Sequence, residues 1–367
     1  MGSVRGRVAC ARIVKLQCSF LVPGKLDTRT GGFTYDRHII DGLRSLGWLV
    51  DVRLLGEGWP APDDGTLAAA WQVLSALPDG SLVVVDGLAF GAMPEFAEAH
   101  ARRLQWVALV HHPLALETGL DGDARAALFD SERKALSTAR AVVVTSPSTA
   151  RALAAYDVPA ARITVVEPGT EPAPLAAGSG SGDLHLLSVA NVSPRKGHAL
   201  LIDALAGLCD RRWVLHCVGS LTMDAECAAS LVAAIDRHGL RDRVMLHGQQ
   251  DESALRAFYE RADAFVLPSF HEGYGMALAE ALAHGLPVIS TTAGAIPDTV
   301  PADAGVLVPP GDEPALRAAL QRLMDDAGWR AQLASGARAA RDRLPTWAES
   351  AARFAVALEA LEALADE

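Results

Sequence analysis

The sequence predicts an α/β fold of two domains, each a parallel sheet covered by helices. Three observations carry that expectation. Short apolar runs alternate with helical patterns along the whole chain, the pattern left by strands buried between two helix layers. One low-complexity segment, Glu171-Pro-Ala-Pro-Leu-Ala-Ala-Gly-Ser-Gly-Ser-Gly182, interrupts the alternation near the middle. Pro, Ala, Gly and Ser without hydrophobic periodicity read as an exposed linker. Finally, 367 residues, half of them hydrophobic, are enough for two sizeable cores.

Residues 1–170 form the first domain in this reading. Its expected strands are Arg12–Val22, Leu49–Leu54, Leu82–Asp86, Gln105–Val110, Ala141–Thr145 and Ile163–Val166. Gly31-Gly32 opens a helix over Phe33–Leu46, and Gly47 ends it as a natural C-terminal cap. Ser146 and Ser148 are candidate N-caps for a later helix. After the linker at 171–182, residues 183–345 repeat the scheme. Expected strands are Leu184–Val189, Trp213–Val218, Val244–Leu246, Ala264–Leu267, Val288–Ser290 and Val306–Val308. Two Rossmann-like domains with a ligand cleft at their strand C-termini fit best. The last segment, Trp347 to Leu364, is strongly helical.

Composition narrows the function. A formal charge of −11 with no basic stripe argues against nucleic acid as a partner. The five cysteines show no metal-binding spacing and read as reduced cytosolic thiols. The apolar stretch near the N-terminus is broken by Arg12, Lys15 and Gln17, so no signal peptide is expected. No run of eighteen apolar residues is present, and no transmembrane segment is expected. A cytoplasmic location follows, with peripheral contact at the inner membrane face left open.

The chemistry concentrates between Ser269 and Ile289. A short buried strand ends at Pro268, Gly273-Tyr274-Gly275 turns the chain, and a helix rich in Ala and Leu begins at Met276. Strand, glycine turn and helix start together aim free N–H groups and a positive dipole end at an anion. Glu272 lies in the loop. Glu280 is the lone charge between Met276 and Ala283, on a helix apolar all round and so normally buried; a helix glutamate that reaches solvent is the alternative. A buried carboxylate needs partners, and leaning toward the helix N-terminus it faces the glycine turn. Hydroxyls of a sugar or ribose beside a phosphate would supply them.

Glu272 and Glu280 in the context P-S-x-x-E-G-x-G-x-x-x-x-E-A-x-A-x-G-x-P resemble the E-x7-E signature of retaining glycosyltransferases with the GT-B fold, most closely family 4. The resemblance covers nearly the whole chain and implies a GT-B architecture whose terminal helix (346–367) returns to the first domain. It implies transfer of a hexose from a UDP- or GDP-linked sugar to an acceptor hydroxyl with retention. Saccharide, lipid and small metabolite all remain open as acceptor. The alternative is a non-catalytic sugar-nucleotide-binding protein of the same fold.

Residue by residue, Glu272 would hold donor-sugar hydroxyls and Glu280 the ribose, with Gly273, Tyr274, Gly275 and Met276 lining the phosphate. Gly32 matches the family's glycine-rich loop; from the residues alone a plain flexible turn accounts for Gly31-Gly32 as well. His111-His112-Pro113 follows a strand, which would point a histidine into the cleft; a satisfied structural histidine is the alternative. The family places a histidine near the donor sugar here; His111 matches better, and His112 is the alternative. In Ser188-Val-Ala-Asn-Val-Ser-Pro-Arg-Lys-Gly-His198, Arg195 and Lys196 sit at a helix start, a poor place for cations unless an anion is bound. Lys196 matches the family's diphosphate lysine. Asn191 stands where the family has arginine, and Arg195 is the candidate replacement. Asp121-Gly-Asp123 is a D-x-D match, but Asp123 reads as a helix N-cap. No metal and no other cofactor are therefore expected: Lys196 and the amides of Gly273–Met276 would meet the phosphate charge.

Overall fold

The computed structural model describes residues 16–363. It contains two six-stranded parallel sheets covered by helices. The first sheet runs β2-β1-β3-β4-β5-β6, with β1 Gln17–Val22, β2 Leu49–Leu54, β3 Leu82–Asp86, β4 Gln105–Val110, β5 Ala141–Val144 and β6 Ile163–Val165. The second runs β12-β11-β10-β7-β8-β9, with β7 Leu184–Val189, β8 Trp213–Val218, β9 Val244–Leu246, β10 Ala264–Val266, β11 Val288–Thr291 and β12 Gly305–Val308. The expected start of the first strand at Arg12 lies outside the described residues.

Continuous apolar runs form the inner strands because helices cover both faces of each sheet. Every residue of β3 and β10 is buried. β2, at the sheet edge, is largely exposed. The helix Gly31–Ser45 begins two residues earlier than expected, because the Thr30 hydroxyl accepts from Phe33 N and caps it there. Ser146 does the same for Pro147–Ala152, bonding to Thr149 N.

The segment 171–182 differs from a free linker. Ala176 N bonds to the His284 carbonyl, Ala177 N to the Glu260 carbonyl, and Ser179 N to Asp263 Oδ1. Its side chains are mostly exposed, while its backbone is pinned to the second domain.

The helix Trp347–Ala363 lies on the first domain. Phe354, Ala355 and Leu358 join the core built around Phe20, Ile39 and Val84, and Ser350 Oγ donates to the Glu167 carbonyl at 2.7 Å. Gly42 permits this contact, since a side chain there would overlap Ala351.

The strand orders locate the cleft. In the first sheet β1 is flanked by β2 and β3; in the second β7 is flanked by β10 and β8. At such switch points the loops diverge and leave a crevice at the strand C-termini. The loops after β1, β4 and β5 face those after β7 and β10 across it.

Candidate functional site

The turn after β7 and the turn after β10 are pressed together at Gly197. It has φ +70°, and a side chain there would collide with the Pro268 carbonyl. The contact brings Lys196 to Glu272: Nζ lies 2.7 Å from Oε1. Ser269 Oγ donates to the same oxygen at 2.6 Å. Arg195 NH1 donates to the His271 carbonyl at 2.8 Å and lies 3.6 Å from Glu272 Oε2. Its Nε reaches across the cleft to Glu117 Oε1 at 3.1 Å. Burial pushes the Glu272 carboxyl up, but Lys196 and Arg195 outweigh it and hold it below its ordinary value. Burial is also the largest influence on Lys196 and lowers it, against the opposing pull of Glu272.

Beside this pair starts the helix Met276–Ala283. Its N-cap is Gly275, at φ +92°, and no side chain caps it; Leu278 N bonds to the Gly275 carbonyl at 2.8 Å, which leaves the Met276 and Ala277 amides to face an anion. Tyr274 is buried, and its carbonyl accepts from Thr299 Oγ1 at 2.6 Å. Glu280 is half-buried, and its Oε2 accepts from the Tyr259 hydroxyl at 2.8 Å. Burial raises the Glu280 carboxyl and the Tyr259 bond opposes the rise. Tyr259 stacks on His284, ring centroids 4.9 Å apart. Nothing in the sequence near Tyr259 signals this role, since 21 residues separate it from Glu280.

On the first-domain face, an added Cβ at Gly31 would lie 3.8 Å from Met276 Sδ, and one at Gly32 would lie 3.4 Å from His111 Cδ2. These are ordinary contact distances to side chains, one across the cleft and one within the domain. His111 lies at the cleft floor with a fifth of its side chain exposed. Its Nε2 is buried and turned inward, 3.3 Å from Asp36 Oδ1 and 3.5 Å from Asp86 Oδ2. Two carboxylates under the strand ends attract it, and neither was singled out in the sequence. The His111 carbonyl accepts from Thr145 Oγ1 at 3.0 Å, and Gly273 of the second domain packs against it. His112 Nε2 lies 3.5 Å from Glu117 Oε2.

The domains also meet at Asp298, which accepts from Ser148 N at 2.8 Å and pairs with Arg151 at 3.1 Å. Asn191 bridges the cleft: Nδ2 donates to the Arg29 carbonyl at 3.1 Å, while Oδ1 accepts from Ser220 N. Arg195, the candidate replacement for the cation absent at Asn191, is engaged by Glu117 and Glu272.

In the D-x-D match the capping residue is Asp121, which accepts from Ala124 N at 2.7 Å, and not Asp123. Capping is decided by which residue precedes the first turn, and the helix starts at Gly122. Among the described residues, the groups close enough together to hold a cation are Asp36, Asp86 and His111. No helix among them is long and apolar enough to cross a membrane.

Two family models match consecutive parts of the chain: a glycosyl transferase 4-like domain over residues 41–169, and glycosyl transferases group 1 over residues 176–340. Similar proteins include the D-inositol 3-phosphate glycosyltransferase of Salinispora tropica, 31% identical over 264 residues, covering 63% of this chain and 55% of that one. The protein of that name from Xylanimonas cellulosilytica is 36% identical over 169 residues, 46% of this chain and 40% of the other. The chain thus spans about half the length of these curated relatives. Among solved structures, sucrose-phosphate synthase from Thermosynechococcus elongatus superimposes with a TM-score of 0.82 at 22% identity, covering 95% of this chain and 100% of that one. Anabaena Alr3699/HepE in complex with UDP-glucose gives 0.76 at 21% identity, covering 94% and 100%. At these identities the likeness is one of fold.

Proposed function

The chain belongs to the family-4 glycosyltransferases of the GT-B fold, and from that premise we propose that it transfers a hexose from a UDP- or GDP-linked sugar to an acceptor hydroxyl with retention of configuration. The observation that carries this reading is Lys196 paired with Glu272 beside the uncapped start of Met276–Ala283. A diphosphate entering there would take over Lys196 and the first-turn amides. Glu272, released from Lys196, would then accept hydrogen bonds from the donor sugar. Departure of the nucleoside diphosphate builds negative charge where these donors already point, the largest effect such a site can exert. No divalent ion is needed for that charge in this scheme. Glu280, held by Tyr259 through one oxygen, keeps the other for the ribose. The acceptor enters from the first-domain side, under Gly31-Gly32, and saccharide, lipid or small metabolite each fits the scheme.

The test is thermal unfolding with UDP, GDP and ADP, each in EDTA, for the parent and Lys196→Ala. A ligand at a hundredfold its Kd adds about 2.7 kcal/mol of stability. Stabilisation of the parent by one nucleotide, lost in the variant, supports the site and names the base. Stabilisation that appears only with divalent metal sinks the metal-free scheme. The second reading, a sugar-nucleotide-binding protein without turnover, draws on Asn191, which is spent on the Arg29 carbonyl and Ser220 N. Release of nucleoside diphosphate from a donor excludes it.

A further inference from the structure

Beneath the cleft, three charged groups meet that the scheme above leaves without a task. Asp36, on the helix Gly31–Ser45, is fully buried, and neither of its oxygens has a well-formed hydrogen bond. Asp86, at the end of β3, accepts from Leu88 N through Oδ1 at 2.7 Å, which leaves Oδ2 for His111. His111 follows β4, and its Nε2 is shut from solvent between the two carboxylates while 20% of the side chain stays exposed. Buried carboxylates this close persist only with a compensating charge among them. Three groups converge here among the described residues, and a divalent cation would need water to complete its four or more ligands. A shared proton needs no more than these three.

We propose that Asp36 and Asp86 are positioning residues for His111: together they hold its Nε2–H, orient the ring and leave its opposite edge to meet the donor sugar. The proposal rests on the reading that His111 contacts the donor. His111 then works as a protonated hydrogen-bond donor of fixed direction and does not take the proton of the acceptor hydroxyl. Because the carboxylates balance its charge, the ring does not oppose the positive charge that develops at the anomeric carbon.

The electrostatics agree. Burial alone would lower the imidazole, but Asp36 and Asp86 outweigh it and raise it to about 10. Asp36 is raised to about 7, first by burial and then by Asp86, with His111 opposing. The other titratable group against the ring is Tyr35, edge-on at 5.3 Å, whose hydroxyl is spent on the Val166 carbonyl. From the end of β5 and from the second domain, Thr145, just past the strand, and Gly273 approach the His111 carbonyl and bring no charge.

The experiment follows the His111 ring by NMR from pH 5 to 9, assigned through its loss in His111→Gln, in the full chain and in Asp36→Asn, Asp86→Asn and Asp86→Glu. Turnover is read as UDP release from UDP-glucose and, separately, GDP release from GDP-mannose. The parent ring should stay protonated to at least pH 8. Either Asn substitution should lower its midpoint by more than about one pH unit and cut kcat about 10- to 100-fold with little change in KM. Asp86→Glu should restore part of both. A parent ring that titrates near 6.5, an Asn variant with an unmoved midpoint, or stoichiometric metal retained through EDTA dialysis overturns the proposal. If neither Asn variant folds, the parent titration decides alone. Absence of nucleotide release from the parent counts against the functional reading and leaves the titration standing.

Discussion

Gly273 is where second-domain backbone lies against first-domain backbone, and Gly273→Ala tests whether catalysis needs that approach. Its φ is not positive, so alanine is conformationally allowed and any effect comes from contact. The added methyl would overlap the His111 carbonyl oxygen by about 1 Å relative to the closest approach real Cβ atoms make. That oxygen belongs to backbone held by Thr145 at 3.0 Å and cannot swing away as a side chain would. The relief is for the domains to part at this contact, where the bonds from Thr145 and Thr149 to the Gly273 carbonyl are long, at 3.5 Å each, while Asp298 and Glu117 hold the domains together elsewhere. A displacement of about 1 Å between reacting groups costs on the order of a hundredfold in rate, while stability should fall by less than about 1 kcal/mol. The assay pairs kcat for nucleotide release with thermal unfolding. A kcat within twofold of the parent would refute the reasoning, because the donor and His111 would then not need this approach. A stability loss above about 3 kcal/mol would refute it differently, by making Gly273 part of a domain core.

Glu132 predicts a pH dependence of stability. Its carboxyl is buried under Leu114 N, and burial raises it from 4.5 to about 8 against the opposing bonds from Leu114 and Tyr156. The folded state therefore keeps a proton that the unfolded state gives up. Stability should fall by up to about 1.4 kcal/mol per pH unit as pH rises from the ordinary carboxyl range toward 8, and level off above. Glu132→Gln should remove that slope and be the more stable form at pH 8, as read by urea unfolding across pH. At the helix contact, Gly42→Ala should cost about 1–3 kcal/mol by overpacking, because its Cβ would overlap that of Ala351. Adding Ala351→Gly should restore much of the loss, and urea unfolding of the double variant checks the pairing.

Much of the fold was legible in the sequence. All twelve expected strands occur, and apart from the first strand's start at Arg12, outside the described residues, each lies within a few residues of its anticipated ends; the inner strands, buried on both faces, are nearly unbroken apolar runs. The lone charge on Met276–Ala283 likewise announced an unusual carboxylate. The D-x-D cap was misplaced by two residues, since both aspartates precede a helical pattern and only the hydrogen bond to Ala124 N separates them.

The sequence by itself determined the elements, the glycine turns and which residue types border the cleft, all of which depend on neighbours a few positions away. Tertiary structure decided the partners. Lys196 meets Glu272 across 76 residues, Tyr259 meets Glu280 because one helix lies beside another, and His111 turns its Nε2 toward Asp36 and Asp86. Asp36 reads locally as an ordinary helical aspartate and Asp86 as the cap of a short helix. Hydrophobic periodicity is written along the chain, whereas the pairing of buried charges depends on strand order, which no local pattern encodes.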